Sequence, residues 1–426
     1  MGNYDSTPIA KSDRIKRLVD HLYAKMPEIE AARAELITES FKATEGQPVV
    51  MRKARAFEHI LKNLPIIIRP EELIVGSTTI APRGCQTYPE FSYEWLEAEF
   101  ETVETRSADP FYISEETKKR LLAADAYWKG KTTSELATSY MAPETLRAMK
   151  HNFFTPGNYF YNGVGHVTVQ YETVLAIGLN GVKEKVRKEM ENCHFGDADY
   201  STKMCFLESI LISCDAVITY ANRYAKMAEE MAEKETDAAR RQELLTIAEV
   251  CKNVPEFPAE SFQEACQSFW FIQQVLQIES SGHSISPGRF DQYMYPYYEK
   301  DLKEGYSLFQ NLIVGGQTVQ GRDATNDLSF MCITASEHVF LPMPSLSIRV
   351  WHGSSKALLM RAAELTRTGI GLPAYYNDEV IIPALVHRGA TMDEARNYNI
   401  IGCVEPQVPG KTDGWHDAAF FNMCRP

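Results

Sequence analysis

The apolar residues of the first 300 positions recur mostly at helical spacing. Residues 12–46 contain two amphipathic stretches and predict two helices, the first with Ser12 or Asp13 at its N-cap. Residues 201–254 predict helix throughout, with charged residues gathered on a solvated face. Residues 259–280 are apolar all round in their middle, which indicates a buried helix. We therefore expect a mainly helical part over 1–300.

Short runs of β-branched residues, which favour strands over helices, occur in two parts of the chain. Residues 64–77 alternate such runs with turn residues, a pattern that predicts short core strands. Beyond position 306, predicted strands alternate with predicted helices, as is typical of parallel β/α units. These strands are expected at 311–316, 345–351, 373–377 and 400–401. The predicted fold class is α/β, with β/α units over 306–426.

Composition narrows the class of protein. The chain has 426 residues, 44% of them apolar, which is enough for a large core in one or two domains. The net charge of −13 is spread along the chain and argues against nucleic acid or an anionic membrane as partner. We find neither a signal peptide nor an apolar run long enough to span a membrane. Nine cysteines without a CxxC motif indicate a reducing, cytoplasmic location without disulfides or a metal site.

The strongest candidate chemistry lies near the end of the chain. Two β-branched residues, Ile400 and Ile401, lead into Gly402, as a buried strand does when it reaches a loop. If the backbone stays extended, Cys403 and Glu405 share one face, because side chains alternate with period two. A lone cysteine is more often a small buried hydrophobe than a reactive group, and the carboxylate beside it favours the reactive interpretation.

Two further stretches could carry chemistry. Residues 157–166 place three glycines among aromatic and amide side chains, which predicts an irregular ribbon with Asn158 and His166 aimed inward. His166 could equally be a core histidine bonded to a backbone carbonyl. Residues 281–291 form a polar, turn-rich loop directly after the buried helix. Such loops carry binding sites, although ordinary turn chemistry explains the same composition.

The run IIGCVEPQVPGKTDGWHDAAFFNM over 400–423 resembles the cysteine loop of glycyl radical enzymes, the family of pyruvate formate-lyase. Among them it is most similar to the B12-independent glycerol and propane-1,2-diol dehydratases. The resemblance extends over nearly the whole chain, through residues 34–48, 72–77, 157–169, 282–299, 310–317 and 371–389. It implies N-terminal helices plus half of a ten-stranded α/β barrel, with the cysteine loop at its centre.

Two differences from the family bear on this expectation. Family members continue to a second loop, whose R-V-x-G-Y-type motif carries the radical-storing glycine, and this sequence contains no such motif. Members also have a further helix and strand where this chain runs directly from Lys303 to Tyr306. We therefore expect a chain truncated after the cysteine loop, without a C-terminal glycine-radical domain. Alone, it is expected to self-associate and to lack a radical source.

The resemblance also implies a set of roles. Cys403 would become a thiyl radical, Glu405 would act as the base, and His166 would supply a proton to the leaving hydroxyl. Phe309 stands where close members carry a tyrosine. The residues expected to hold the substrate hydroxyls are Asn158, His283, Ser284 and Asp417. The expected partners are a radical S-adenosylmethionine activating enzyme, a small diol and, in the complete enzyme, a second subunit of a homodimer.

Three alternatives stay open. Cys403 is followed by Val404 rather than by a second cysteine, which argues against a formate acetyltransferase. A choline trimethylamine-lyase is a closer alternative, although two histidines suit a neutral diol better than a quaternary ammonium group. The contrasting class is a truncated relative without catalytic activity.

Overall fold

A computed structural model describes residues 12–157, 160–163, 165–281, 284–300, 312–340, 345–402, 404–412 and 419–424, with the backbone alone at 419 and 420. The helices of the first part are α1 (Asp13–Tyr23), α2 (Ala32–Ala43), α3 (Val49–Asn63), α4 (Glu94–Glu99), α5 (Glu115–Trp128), α6 (Thr133–Ser139), α7 (Pro143–Lys150), α8 (Tyr171–Glu191), α9 (Tyr200–Ala232), α10 (Ala238–Asn253), α11 (Phe262–Ser280), α12 (Phe290–Tyr293) and α13 (Tyr295–Lys300).

Strands and helices alternate in the last part of the chain. Its helices are α14 (Asp327–Val339), α15 (Lys356–Arg367), α16 (Asp378–His387) and α17 (Met392–Arg396). The strands of the whole described chain are β1 (Ile29–Glu30), β2 (Cys85–Gln86), β3 (Phe154–Pro156), β4 (Leu312–Gly315), β5 (Leu346–Val350), β6 (Ala374–Asn377), β7 (Asn399–Ile401), β8 (Glu405–Gln407) and β9 (Ala419–Phe421).

The helical part is organised around α9, which packs against α3, α8 and α10. Its inward face is buried where Tyr220 and Tyr224 meet Phe271 of α11. Ser12 accepts a hydrogen bond from the N–H of Ile15, which confirms the predicted N-cap of α1. By length and composition α9 could also cross a membrane, contrary to our expectation from the sequence. One face of α9 packs against three other helices. A helix in the core of a protein can be as long and as apolar as a membrane span, so length and composition alone do not identify one.

The prediction of core strands over 64–77 is wrong. This segment is irregular, and side chains of neighbouring helices bind its backbone in place of a strand ladder. Gln267 binds both the N–H and the carbonyl of Val75, and Tyr224 accepts a hydrogen bond from the N–H of Ser77. Arg223 donates to the carbonyl of Leu64. Ile68 and Val75 are buried and the other β-branched side chains are partly buried, but the backbone groups have no need of a neighbouring strand.

The predicted β/α units are confirmed by a parallel sheet in the order β4–β5–β6. Leu312 pairs with Leu346, and Ser347 pairs with Ala374. On the other side of β4, Gly288 forms a parallel bridge to Leu312. One apolar core extends from the helices to this sheet, since side chains of α11 and of β4 and β5 belong to the same buried cluster.

A buried ion pair lies at the carboxyl end of the sheet. Arg349 of β5 contacts both carboxylate oxygens of Asp378, the first residue of α16, at 2.8 and 2.9 Å, and both side chains are 0% exposed. Asp378 also accepts hydrogen bonds from the Tyr398 hydroxyl at 2.9 Å and from the Gln317 N–H at 2.8 Å. The carboxylate therefore joins segments from four places in the chain.

Replacing Asp378 tests this junction. Asp378→Asn keeps the size of the side chain but leaves the Arg349 charge buried without its counter-ion, so the free energy of unfolding should fall by about 3–5 kcal/mol. Urea denaturation followed by circular dichroism measures this change. Glu144→Gln, in the exposed pair with Arg147, is the matched control and should leave the midpoint unchanged. Equal midpoints for the two variants would contradict the assigned role.

Candidate active site

The candidate cysteine loop is the turn of a β-hairpin. β7 and β8 pair antiparallel, with Ile401 opposite Glu405. Ile400 and Ile401 are buried, as expected for a strand that enters a loop. The premise of an extended backbone is wrong, however, because Gly402 has a φ of 54° and the chain reverses before Glu405. The alternation of side chains along an extended strand therefore does not apply to the residues of this turn.

Glu405 lies against His166 at the base of the hairpin. The carboxylate oxygen Oε1 is 3.2 Å from Nδ1 of the imidazole, and the two side chains are 24% and 12% exposed. The other oxygen, Oε2, accepts a hydrogen bond from the N–H of Val404 at 3.0 Å. A carboxylate and an imidazole are thus in contact beside the turn that carries the candidate thiol.

Gly402 allows this close approach. A Cβ atom at this position would lie 2.5 Å from Cε1 of His166 and 2.6 Å from Oε2 of Glu405, well inside van der Waals contact. The positive φ of the residue adds a second reason for glycine. The backbone of the hairpin therefore packs directly on the carboxylate–imidazole pair.

The three stretches that the sequence singled out come together here. The N–H of Ser286 donates to the carbonyl of Val167 at 3.0 Å, and Thr168 forms a parallel bridge with Ser286. Gly163 packs so closely on the Ser280 carbonyl that a Cβ would lie 1.8 Å from its oxygen. The ribbon that carries His166 therefore lies between the loop after α11 and the β7–β8 hairpin.

Gln407 connects the hairpin to the ribbon. Its side-chain N–H donates to the carbonyl of His166 at 3.3 Å, and its side-chain oxygen accepts from the N–H of Thr168 at 3.2 Å. The sequence analysis did not single out this residue. The alternation of a strand from Glu405 to Gln407 could have indicated it, since residues two apart share a face.

Two buried arginines hold the chain just before the hairpin. Arg349 donates to the carbonyls of Arg396 and Tyr398 at 2.9 and 3.1 Å, and Arg289 donates to the same Arg396 carbonyl at 3.0 Å. Burial, together with the positive charge of Arg349, lowers the pKa of Arg289 to about 9. The start of β7 is thus fixed by charged donors from β5 and from the loop after α11.

Asp291 is the acidic counterpart of Arg289. One carboxylate oxygen accepts hydrogen bonds from the N–H of Gly315 at 3.0 Å and from the hydroxyl of Ser329 at 2.5 Å. Burial raises the pKa of this carboxyl group, and the Ser329 hydrogen bond and the Arg289 charge oppose that shift. Asp291 therefore ties the loop after α11 to the end of β4.

The remaining predicted site residues divide into two groups. Ser284 is described: it is half-buried, has a φ of 63°, and lies two residues before the Ser286 that pairs with the ribbon. The others lie outside the described residues, namely Cys403, Asn158, His283, Phe309 and Asp417. The roles assigned to all of these residues stay predictions.

The chain beyond the hairpin returns to the same region. β9 pairs antiparallel with β3, with Ala419 opposite Pro156, and the N–H of Asn422 donates to the carbonyl of Phe153 at 2.8 Å. The strand β3 leads directly into the glycine-rich ribbon. Within the described parts of the chain, no group of His, Cys, Asp and Glu side chains is arranged to hold a metal ion.

Comparison with known proteins gives a consistent result. The family model described as "Pyruvate formate lyase-like" matches residues 8–307 and 302–426. These two blocks meet where the sequence analysis placed the omitted helix and strand. A curated relative, the (2S)-3-sulfopropanediol dehydratase of Klebsiella oxytoca, is 33% identical over 96% of this chain and 54% of its own length. The chain thus spans about half the length of this relative.

Two solved structures are similar throughout the described fold. One, from a study of 1,2-propanediol dehydration in Roseburia inulinivorans, is 92% identical with a TM-score of 0.96, over 99% of this chain and 55% of that one. The other is the glycerol-bound B12-independent glycerol dehydratase of Clostridium butyricum, 52% identical with a TM-score of 0.94, over 98% of this chain and 57% of that one. The fold and the sequence agree, and the chain belongs to the pyruvate formate lyase-like family.

Proposed function

We propose that this chain provides the substrate-converting part of a radical dehydratase that acts on propane-1,2-diol or glycerol. The observation that carries the proposal is the contact between Glu405 and His166 at the base of the cysteine hairpin. Dehydration of a diol requires removal of one hydroxyl proton and protonation of the other hydroxyl, and these two groups suit the two steps.

Cys403 is the residue that exchanges a hydrogen atom with the substrate. The glycyl radical of a complete glycyl radical enzyme would supply the oxidising equivalent that removes the hydrogen atom from this thiol. A segment that carries the glycyl radical could approach this turn, because Val404, next to the cysteine, is 65% exposed. Loss of a hydrogen atom from C1 of the diol to the sulfur then restores the S–H bond and leaves an α-hydroxy radical.

Glu405 and His166 perform the proton transfers that follow. The C1 hydroxyl of an α-hydroxy radical is much more acidic than that of the parent alcohol, so Glu405 can take its proton. His166 gives a proton to the C2 hydroxyl, which leaves as water. Since the two side chains are 3.2 Å apart, the proton gained by Glu405 can return to His166 directly. Return of the hydrogen atom from Cys403 to C2 completes the reaction, whose net change is diol to aldehyde plus water.

The substrate class rests on similarity. The relatives with 92% and 52% identity are described with 1,2-propanediol and with glycerol, both neutral compounds with hydroxyls on adjacent carbons. The sulfonated substrate named for the 33% identical relative carries an anion in addition. Neutral hydroxyls need hydrogen-bond partners rather than a counter-ion, and the predicted set Asn158, His283, Ser284 and Asp417 provides such partners.

Location and partners remain predictions. We expect a cytoplasmic enzyme, because the cysteines suit a reducing compartment, and all those that the structure describes are free thiols. An activating enzyme that uses S-adenosylmethionine and a homodimeric assembly are further parts of the proposal. Neither B12 nor a metal ion has a role in it.

The proposal is tested in a complete enzyme. We would join this chain to the part of the Roseburia relative that lies beyond the matched region, and assay it anaerobically with an activating enzyme. Propane-1,2-diol should give propionaldehyde, and glycerol should give 3-hydroxypropionaldehyde. Cys403→Ser should abolish turnover, since an O–H bond is too strong for a glycyl radical to break. Turnover in Cys403→Ser, or preferential cleavage of choline, would contradict the proposal, and inactivity of the fully activated enzyme would favour a non-catalytic relative.

Glu405→Gln tests the assigned base. The amide keeps the size of the side chain but cannot accept the hydroxyl proton, so kcat should fall by about 100-fold or more while KM changes little. The yield of glycyl radical, measured by electron spin resonance, should be unaffected. A matched control is Glu394→Gln, which alters a carboxylate of similar exposure, 25%, that is paired with Lys411. Equal kcat values for the two variants would exclude Glu405 as the base.

Gly402→Ala tests the close packing of the hairpin. The added methyl group would overlap Cε1 of His166 and Oε2 of Glu405, and the residue would have to keep a positive φ. We expect kcat to fall by about 10-fold or more and the free energy of unfolding to fall by about 1–3 kcal/mol. Gly369→Ala is the matched control, because its φ is also positive at 82° but a Cβ there meets no atom within 4 Å. If both variants lose the same kcat, close contact with the pair is not the cause.

A further inference from the structure

Gln407 and Glu405 reach the same residue from the same strand. Glu405 contacts the imidazole of His166, and Gln407, two residues further along β8, binds the backbone on the far side of that residue. The carboxamide of Gln407 is 3% exposed and makes two contacts, to the His166 carbonyl at 3.3 Å and to the Thr168 N–H at 3.2 Å. Strand β8 therefore contacts both the side chain and the backbone of His166.

The backbone of His166 needs such support. Its φ of 51° is in the left-handed region, which a residue with a side chain occupies only when its surroundings hold it there. A carboxamide has one donor and one acceptor arranged as in a peptide group. Gln407 can therefore replace a rung of a β-ladder for a ribbon that is too irregular to pair with β8 by its own backbone.

We propose that Gln407 is a positioning residue that fixes the imidazole of His166 against the carboxylate of Glu405. It acts through the backbone of His166. Its consequence for catalysis rests on the proposed function, but its effect on the geometry of the pair can be measured without turnover.

Gln267 provides a matched control within the same chain. Its carboxamide makes the same kind of two-point contact, with the N–H and the carbonyl of Val75 at 2.8 and 2.7 Å, and it is 1% exposed. It lies in α11 and supports the irregular segment 64–77. Gln267→Met and Gln407→Met therefore remove equivalent contacts, and only the second is expected to affect the pair.

The experiment records the ¹⁵N spectrum of the 426-residue chain labelled at histidine, with the His166 signal assigned by its loss in His166→Gln. The Nδ1 signal reports the neighbouring carboxylate, so Glu405→Gln should move it. In the Gln407→Met background, the shift caused by Glu405→Gln should fall to less than about half, whereas in the Gln267→Met background it should keep its full size. A full-size shift in the Gln407→Met background would overturn the inference.

The same measurements separate this inference from the proposed function. If Glu405→Gln leaves the His166 signal unmoved in the otherwise unaltered chain, the two groups do not interact and the proposed proton transfer fails. If Glu405→Gln moves the signal equally with and without Gln407, the pair stands and the positioning role alone is refuted.

A second measurement begins with the unaltered chain. In the unaltered chain, the Gln407 carboxamide should protect the Thr168 amide from hydrogen exchange, and Gln407→Met should speed this exchange by about 5-fold or more. Exchange of the Thr168 amide at the rate of an unstructured peptide in the unaltered chain would contradict the contact, and with it the proposed role.

Discussion

The position of the candidate site depends on the charge balance of a buried cluster of two arginines and two aspartates. Arg349 and Asp378 form a fully buried ion pair, and Arg289 and Asp291 lie beside it at the ends of the same strands. Charges without access to water are stable only when each has a partner and its hydrogen-bonding capacity is used. The arginines also donate to the carbonyls of Arg396 and Tyr398, which holds the chain where it enters β7.

Close packing then determines what the hairpin can contact. Gly402 brings the backbone onto the carboxylate–imidazole pair, and Gly163 brings the ribbon onto the end of α11. Arg33 fixes that end, since its guanidinium donates to the carbonyls of Ile278 and Glu279 and pairs with Glu90. The site is therefore assembled from loops, but each loop is attached to a buried part of the scaffold.

The sequence predicted the long helices, the parallel β/α units and the three stretches that converge, because apolar periodicity and glycine content are local properties. It failed at 64–77, where β-branched residues pack against the core without forming strands, because side chains such as Gln267 bind the backbone from 192 positions away. It also failed at the turn after Ile401, because the sequence does not show whether a glycine adopts a left-handed or an extended conformation. Resemblance supplied roles that spacing alone did not. Gln407 was missed because β8, whose alternation places it on the same face as Glu405, was not predicted.

The contact between Thr168 and Gln407 joins residues that are 239 positions apart in the chain. At ordinary rates of protein synthesis, roughly 10–50 s pass between the emergence of the first residue and that of the second. During this interval the helical part can fold and Ser286 can bind the ribbon at Val167, but the contact of Gln407 with the His166 carbonyl cannot yet form. The ribbon can take its final conformation only after Gln407 has been synthesised. The site is therefore expected to be among the last regions of this chain to become ordered.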